Sequence, residues 1–471
     1  MMRKSVIGLM VIPFFLLCSF SVSAAEREER QWQDESIYYI MIDRFMNGEM
    51  GNNEGANLED PEAYHGGDIK GIIDQLDYIK ELGFTTIQLS PIMANEGEGF
   101  HGFRISDFQS VEEHFGTIAQ AQTLVEEAHA RDLKVIFDLP VGFTGENHSW
   151  LDEQSKGDWF AEGQVASELS WIDGMPKLDT SNVNLQQYFQ ETMDFWQEET
   201  GVDGFRLVSS SQVPEELLQT ASGDRIVIAE NLSDKEAFRA QSREIFSEAG
   251  NPLDELVTQQ SVEEVNRLDG FGVGRFTHLA VENSQNPITR WQLALTYLFT
   301  APGIPQLYYG SEIPLDDGGN LRNLPMMNFK AGDEKLRKRV EKLTSMREQF
   351  PALTRGNYEE LYNQEGLAVF KRTEQEQTMI VAINNAEETK TMEIENLEDD
   401  HQLRGLLHDG LVRQQNDGSY RLGMERETAD VFIVEQNSGY NWMFIGFVGG
   451  VLGLFVLAVI MISLKNRKEK N

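Results

Sequence analysis

Two short stretches hold the residues best placed for chemistry. Gly201-Val202-Asp203-Gly204-Phe205-Arg206-Leu207-Val208 and, 22 residues on, Val227-Ile228-Ala229-Glu230-Asn231 each read as a short apolar strand ending in polar residues. In a parallel α/β barrel the reacting groups sit at the C-terminal ends of the strands. Arg206 and Glu230 would then point into one mouth. A carboxyl in a partly desolvated mouth can hold a proton near neutral pH, and an arginine beside it favours the ionised form of a second carboxylate.

The surrounding elements must hold those two ends together. Ser36 to Ile42 reads as a buried strand leading into Asp43-Arg44-Phe45, and Thr85 to Ser90 as the next strand. Leu133 to Phe137 is a further strand, ending at Asp138. Helical periodicity runs over Ile69 to Leu82 with a stop at Gly83, and helices are also expected over Ala119 to Arg131, Val183 to Glu199, Trp291 to Phe299 and Glu334 to Phe350. Residues 144–180 form a strand-poor excursion rich in Trp, Gly and Asp. From about Gly356 the texture changes to short alternating runs such as Thr378 to Ile383 and Ala429 to Val434, separated by turns such as Asp417-Gly418, which suits a small antiparallel sandwich.

In this order the stretches resemble the α-amylase family of glycoside hydrolases. The resemblance covers roughly residues 36–435 and implies a (β/α)8 TIM barrel with a small inserted domain B and a C-terminal antiparallel β-sandwich. The family pattern Gly-Phe-Arg-x-Asp ends in the nucleophile; here that position is Val208. The family's general acid/base is matched by Glu230. Phe100-His101-Gly102-Phe103 is similar to a sugar-binding His-Gly-Tyr stretch, with Phe103 where a tyrosine would stack on the ring. Asp138-Leu139-Pro140-Val141-Gly142-Phe143 stands where Asp-x-x-x-Asn-His is expected, so Gly142 and Phe143 replace a calcium-binding Asn and a substrate-binding His. Ala280-Val281-Glu282-Asn283-Ser284-Gln285 matches the strand end x-Val-x-Asn-His-Asp, which puts Gln285 at the third carboxylate's position. By the same match His101, Phe103, Asp138, Arg206 and Asn283 take substrate-binding positions.

A retaining glycosidase needs two carboxyl groups about 5–5.5 Å apart, one to protonate the leaving oxygen and one to form the glycosyl intermediate. Val208 cannot attack a sugar carbon, and Gln285 carries no charge. Three readings follow. In the first, the protein is an α-amylase-like binder of α-glucan or protein without ordinary hydrolase activity. In the second, it is an active α-glucosidic hydrolase or transglycosylase with Glu230 as acid/base and another nucleophile, Asp203 and Asp179 being near in sequence. In the third, it is a protein-binding ectodomain without sugar affinity, and Arg206 and Glu230 are an ion pair inside an inherited mouth.

Asn47-Gly48-Glu49-Met50-Gly51-Asn52-Asn53, closed by Tyr64-His65-Gly66-Gly67-Asp68, is dense in oxygen ligands. It resembles a calcium loop of some relatives, with Asn47, Glu49, Asn52, Asn53, the Gly66 carbonyl and Asp68 as candidate ligands for one Ca2+. Such a composition also makes a plain turn.

The ends of the chain set the expected compartment. Residues 1–25 read as a secretory signal: Arg3 and Lys4, an apolar stretch from Ile7 to Phe20, and a small-residue cleavage site at Val22-Ser23-Ala24. Cys18, the one cysteine, lies within it, so the mature chain would have no disulfide. Trp442 to Leu464 is 23 residues without a charge, long enough for a membrane span, and Lys465, Arg467, Lys468 and Lys470 place the tail in the cytoplasm. The domain plan is therefore a signal at 1–25, a barrel at 26–354 with domain B at about 139–180, a sandwich at 355–436, a linker at 437–441, a span at 442–464 and a basic tail at 465–471. The chain has 40 basic and 77 acidic residues; the part between signal and span keeps 34 and 76, a formal −42. That charge excludes nucleic acid and anionic polymers as partners and suits a neutral ligand or simply a soluble surface.

Overall fold

The computed structural model describes residues 30–468 apart from 98, 168–170, 223–224, 233–236, 257–260, 321–322, 396, 398–399 and 438–441. The expected signal at 1–25 and the last residues of the basic tail lie outside the described residues. Gln33–Asn471 forms one unit, to which everything below refers.

The barrel half of the chain carries strands β1 (Ile37–Ile40), β2 (Thr86–Leu89), β3 (Met93–Asn95), β4 (Ile105–Val111), β5 (Lys134–Pro140), β6 (Phe160–Gln164), β7 (Pro176–Leu178), β8 (Gly204–Ser209), β9 (Ile226–Asn231), β10 (Val265–Arg267) and β11 (Ile304–Tyr308). Its helices are α1 (Ile69–Asp74), α2 (Leu76–Glu81), α3 (Ile118–His129), α4 (Val183–Thr200), α5 (Glu215–Ser222), α6 (Ala237–Phe246), α7 (Phe276–Glu282), α8 (Pro287–Thr300), α9 (Glu334–Gln349) and α10 (Pro351–Thr354). Seven strands, in the order β10-β11-β1-β2-β5-β8-β9, make one parallel sheet among the described residues. That is the cyclic order of a barrel sheet, with β9 and β10 as its two edges. Strands buried on both faces read as unbroken apolar runs; Ile37-Tyr38-Tyr39-Ile40 is fully buried for this reason.

The helices start and stop where local chemistry dictates. Thr117 and Gln120 form a reciprocal capping box on α3. Asn182 caps α4, and Gly201 ends it at φ 77°. The periodic stretch from Ile69 to Leu82 is two helices rather than one, broken at Gln75. The excursion at 144–180 contributes the pair β6–β7 and lies over the ends of the barrel strands.

One expectation is overturned. Ala280–Gln285 is not a strand end: Phe276–Glu282 is helix α7, and Asn283, Ser284 and Gln285 unwind from it, Ser284 at φ 57°. The strand preceding α7 is β10, Val265–Arg267. Gln285 and Asn283 therefore do not hold the third-carboxylate and substrate-binding positions expected of them.

Beyond α10, strands β12 (Asn357–Gln364), β13 (Leu367–Glu374), β14 (Gln377–Asn384), β15 (Lys390–Ile394), β16 (His401–Gly405), β17 (Leu411–Arg413), β18 (Tyr420–Met424) and β19 (Thr428–Gln436) form a six-stranded antiparallel sheet, β12-β13-β14-β19-β16-β17, and a two-stranded one, β15-β18. Buried arginines join this domain to α8: Arg372 donates to the Thr300 carbonyl (2.6 Å) and Arg290 to the Asn385 side chain (2.7 Å). The last element is helix α11, Trp442–Lys468, which contains the expected span. Its described side chains are those of 446–460, and most of its large apolar ones are exposed. Among the described residues no helix is long and apolar enough to cross a membrane.

Candidate active site

The register of three adjacent strands sets the site. Asp138 on β5 lies opposite Arg206 on β8, and Val208 lies opposite Glu230 on β9. Residues two apart on a strand share a face, so Arg206 and Val208 point the same way. Arg206 is the hub. Its Nε donates to Asp138 Oδ1 at 2.8 Å, its Nη2 to Asp138 Oδ2, and its Nη1 to Glu230 Oε2. Tyr39 and Gln88 add donors to Asp138 at 2.9 and 2.7 Å, and Gln306 supports Gln88 at 2.6 Å. Burial pushes the Asp138 carboxyl above its ordinary value, and Arg206, Gln88 and Tyr39 all oppose that rise.

Glu230 is gripped from a second side. Arg267, on edge strand β10, donates from Nη1 to Oε2 (3.0 Å) and from Nη2 to Oε1 (2.5 Å). This bidentate pair bridges the two unpaired edges of the sheet. Burial alone would raise the Glu230 carboxyl, but Arg206 and Arg267, with Arg239 behind them, outweigh it and hold it at about 2. A general acid needs the opposite shift. Glu230 is an ionised, doubly clamped carboxylate.

Val208 is fully buried, and it belongs to an apolar cluster with Phe103, Phe143, Val165, Ile172 and Met175, against which Trp171, Leu232 and Phe271 pack. Phe103 is 1% exposed. It stacks flat on Phe271, with centroids 5.5 Å apart and planes 4° from parallel, and lies 4.7 Å from Trp171. His101 packs against the same rings. Burial, with Arg104 and Arg44 nearby, pushes its imidazole down to about 3. It is therefore neutral, with Nδ1 accepting from the Phe103 N–H at 3.0 Å.

These rings plug the mouth. The space left between Tyr39, Arg206, Glu230, Arg267, Tyr308 and the plug is about 20 Å³, room for about one water. Small-molecule sites ordinarily offer about 300–1,000 Å³.

The positions replaced at 142 and 143 join the same arrangement. Phe143 is fully buried in the plug, and a Cβ at Gly142 would lie 2.2 Å from Ser209 Oγ. Asn283 and Gln285 do not line the cavity: Asn283 donates to Ser247 Oγ at 3.0 Å, and Gln285 Nε2 lies 3.5 Å from the Asn283 carbonyl. The carboxylate that follows β10 is Asp269, and it is committed elsewhere, to Arg243 (2.8 Å), Ser311 Oγ (3.1 Å) and the Phe276 N–H (2.7 Å). Asp203 lies before β8 begins, at the opposite end of the strands, where it accepts from the Val135 N–H (2.7 Å) and meets His129. Asp179 accepts from Ser181 in an exposed turn. Arg267, Trp171 and Phe271 were not among the expected site residues. Arg267 follows Glu263-Glu264-Val265-Asn266, which carries no strand pattern that would have marked it.

The oxygen-rich loop divides in two. Asn47 Oδ1, Asn52 Oδ1 and Asn53 Oδ1 are buried with no hydrogen-bond partner. Gly66 closes on them: a Cβ there would lie 2.6 Å from both Asn47 and Asn53 side-chain atoms. Such oxygens suit a hard cation. Asp68 is fixed as the cap of α1 and a loop pin, accepting from the N–H groups of Gly71 (2.6 Å), Glu49 (2.8 Å) and Gly48 (3.1 Å). The Glu49 carboxylate instead accepts from Gln120 at 2.8 Å. The three asparagine oxygens fit a hard cation, and here the Glu49 carboxylate is paired with Gln120 instead.

Comparison with known proteins agrees with this frame. The α-amylase catalytic-domain family matches residues 39–170, and the α-amylase C-terminal-domain family matches 356–432. An α-amylase from Anoxybacillus superposes with a TM-score of 0.81 at 40% identity, over 88% of this chain and 100% of that one. The chain belongs to the α-amylase family of glycoside hydrolases. A second α-amylase of the family, from Geobacillus thermoleovorans and solved with acarbose, superposes with a TM-score of 0.78 at 36% identity over 87% of this chain and all of that one. A β/α-amylase from Paenibacillus polymyxa is 28% identical over 453 residues, covering 85% of this chain; the match spans 38% of that protein's length.

Proposed function

We propose that this family member is a membrane-tethered extracellular protein that does not hydrolyse α-glucans, and that it acts by binding rather than by cutting. One observation carries this reading. The strand end that would bear a nucleophile holds Val208 inside an apolar plug, while the neighbouring carboxylate, Glu230, is held ionised by two arginines. Neither half of a double displacement is available: no oxygen to attack, and no proton to give the leaving group. The mouth also lacks room for a pyranose, so a ligand would meet the outer surface rather than the inside of the barrel.

Tethering rests on the uncharged 23 residues of Trp442 to Leu464, inside one helix and followed by a basic tail. We further propose that Asn47, Asn52 and Asn53 hold a calcium ion that braces the loop between β1 and α1. Bound there, the ion would offset three buried, unpartnered oxygens and supply structure rather than chemistry.

The test is a sensitive maltooligosaccharide hydrolysis assay on the full chain, beside an active family member, with calorimetry on maltotriose. The expected result is no reducing sugar released and no heat of binding. Sustained turnover would overturn the non-hydrolytic reading. Tight maltotriose binding without turnover would overturn only the closed mouth.

A further inference from the structure

On α7 and on the loop after β11, one imidazole nitrogen of His278 and one carboxylate oxygen each of Asp316 and Asp317 lie within 4.8 Å of one another. We propose that His278, Asp316 and Asp317 form a binding site for a divalent transition-metal ion, separate from the asparagine loop. A mixed nitrogen and carboxylate set suits ions such as zinc, whereas calcium takes oxygen alone.

The environment of the imidazole supports this. His278 Nδ1 lies 2.9 Å from Asp316 Oδ1, and Nε2 lies 3.5 Å from Glu282 Oε1. A neutral imidazole has one N–H, so it donates to one carboxylate and turns a lone pair toward the other. A metal cation on that lone pair relieves the clash. The carboxylates favour the divalent ion: Asp316, Asp317 and Glu282 place three negative charges around one imidazole. Asp317 is also fixed in advance. It is 2% exposed, and its oxygens accept from the N–H groups of Arg275 (2.9 Å) and Gly319 (3.0 Å). The Asp316 side chain is 41% exposed and that of His278 is 21% exposed, which leaves an entry path and room for water ligands. A metal here would join α7 to the loop after β11. It would act next to Arg275, whose side chain donates to the Tyr309 carbonyl at 2.8 Å and lies over the Tyr308 ring that lines the mouth.

The experiment is a calorimetric titration of the full chain in detergent with zinc chloride, run in saturating calcium so that the asparagine loop does not contribute. A single saturable zinc site is expected, weakened at least roughly tenfold in both His278→Gln and Asp316→Asn and abolished when the two are combined. Binding unchanged in the variants, or no saturable zinc binding, would overturn the proposal. Both side chains are partly exposed, and unfolding in EDTA at the wild-type midpoint would establish that the variants fold. Should either variant misfold, modification of His278 by diethylpyrocarbonate in the wild type decides the matter. Zinc is expected to protect the ring, and modification at the same rate with zinc would count against the site.

Discussion

Replacing Arg267 by Gln tests the clamp on Glu230 directly. The carboxyl sits at about 2, against an ordinary value of 4.5. Burial raises the carboxyl and Arg206, Arg267 and Arg239 lower it, so the shift is what remains after the arginines outweigh desolvation, on the order of a few kcal/mol at neutral pH. Arg267 donates two hydrogen bonds to the carboxylate, at 3.0 and 2.5 Å. Its removal is therefore expected to raise the Glu230 pKa and to cost on the order of a few kcal/mol of stability at pH 7.

The sign follows from the direction of the shift. Glu230 is depressed in the folded state, so its contribution is complete above about 4.5 and is lost as pH falls through 4.5 toward 2. The wild type should lose stability across that window, and Arg267→Gln should lose less. Urea unfolding of both proteins at closely spaced pH values reads the difference, and carboxyl-carbon NMR of Glu230 reads the pKa itself. Equal slopes in the two proteins would refute the clamp. Recovery of maltooligosaccharide hydrolysis in the variant would refute the wider claim that freeing the acid is insufficient without a nucleophile.

Val208→Asp should not restore turnover and should destabilise: losing the buried valine costs about 1.5–3 kcal/mol, and holding a carboxyl in that plug adds several more at pH 7; denaturation midpoints and a hydrolysis assay read both. Its carboxyl pKa should be raised, so the penalty shrinks as pH falls toward the ordinary carboxyl range. His101, held down at about 3 by burial, should cost the fold stability as pH drops through 6.5 toward 3, and His101→Gln should flatten that slope in pH-dependent melts. Adding calcium at about 100 times its dissociation constant after EDTA should stabilise the fold by about 2.7 kcal/mol, and Asn47→Ala combined with Asn53→Ala should abolish the response. Ending the chain before Trp442 should move the protein from the membrane pellet to the soluble fraction, and retention in the pellet would argue against the tether.

What could be read in advance follows from how local each feature is. Asp138, Arg206, Val208 and Glu230 lie at or near the ends of short apolar runs, and an apolar run with a polar end locates a strand terminus from its own few residues. The structure places all four on the expected strands. Gln285 failed for the same reason in reverse. Ala280-Val281-Glu282-Asn283 looks like a strand end by residue type, but Trp291 Nε1 bonds Thr277, and Phe276 packs edge-on to Trp291, so tertiary contact makes 276–282 a helix. The actual strand, Val265–Arg267, is three residues long and shows no periodicity to read. The loop oxygens of Asn47, Asn52 and Asn53 were visible as composition, but which of them lack partners depends on Asp68 and Gln120 in three dimensions.

The plug was the least legible feature, and it changes what Val208 means. A valine at position 208 is by itself a single difference, and alone it would leave the mouth open. Val208 is instead one wall of a small core assembled from Phe103 after β3, Phe143 after β5, Ile172 and Met175 before β7, and Phe271 after β10. Those residues are far apart in the chain, and each alone reads as an ordinary aromatic or aliphatic loop residue. Such a core is cooperative: any one polar replacement leaves its neighbours facing a buried charge or a void. Restoring the nucleophile would therefore work against the packing that now closes the barrel, and reopening the mouth would require changing several of these side chains together. The packed rings and the ionised Glu230 support each other, because the apolar packing leaves Arg206 and Arg267 as the carboxylate's close partners.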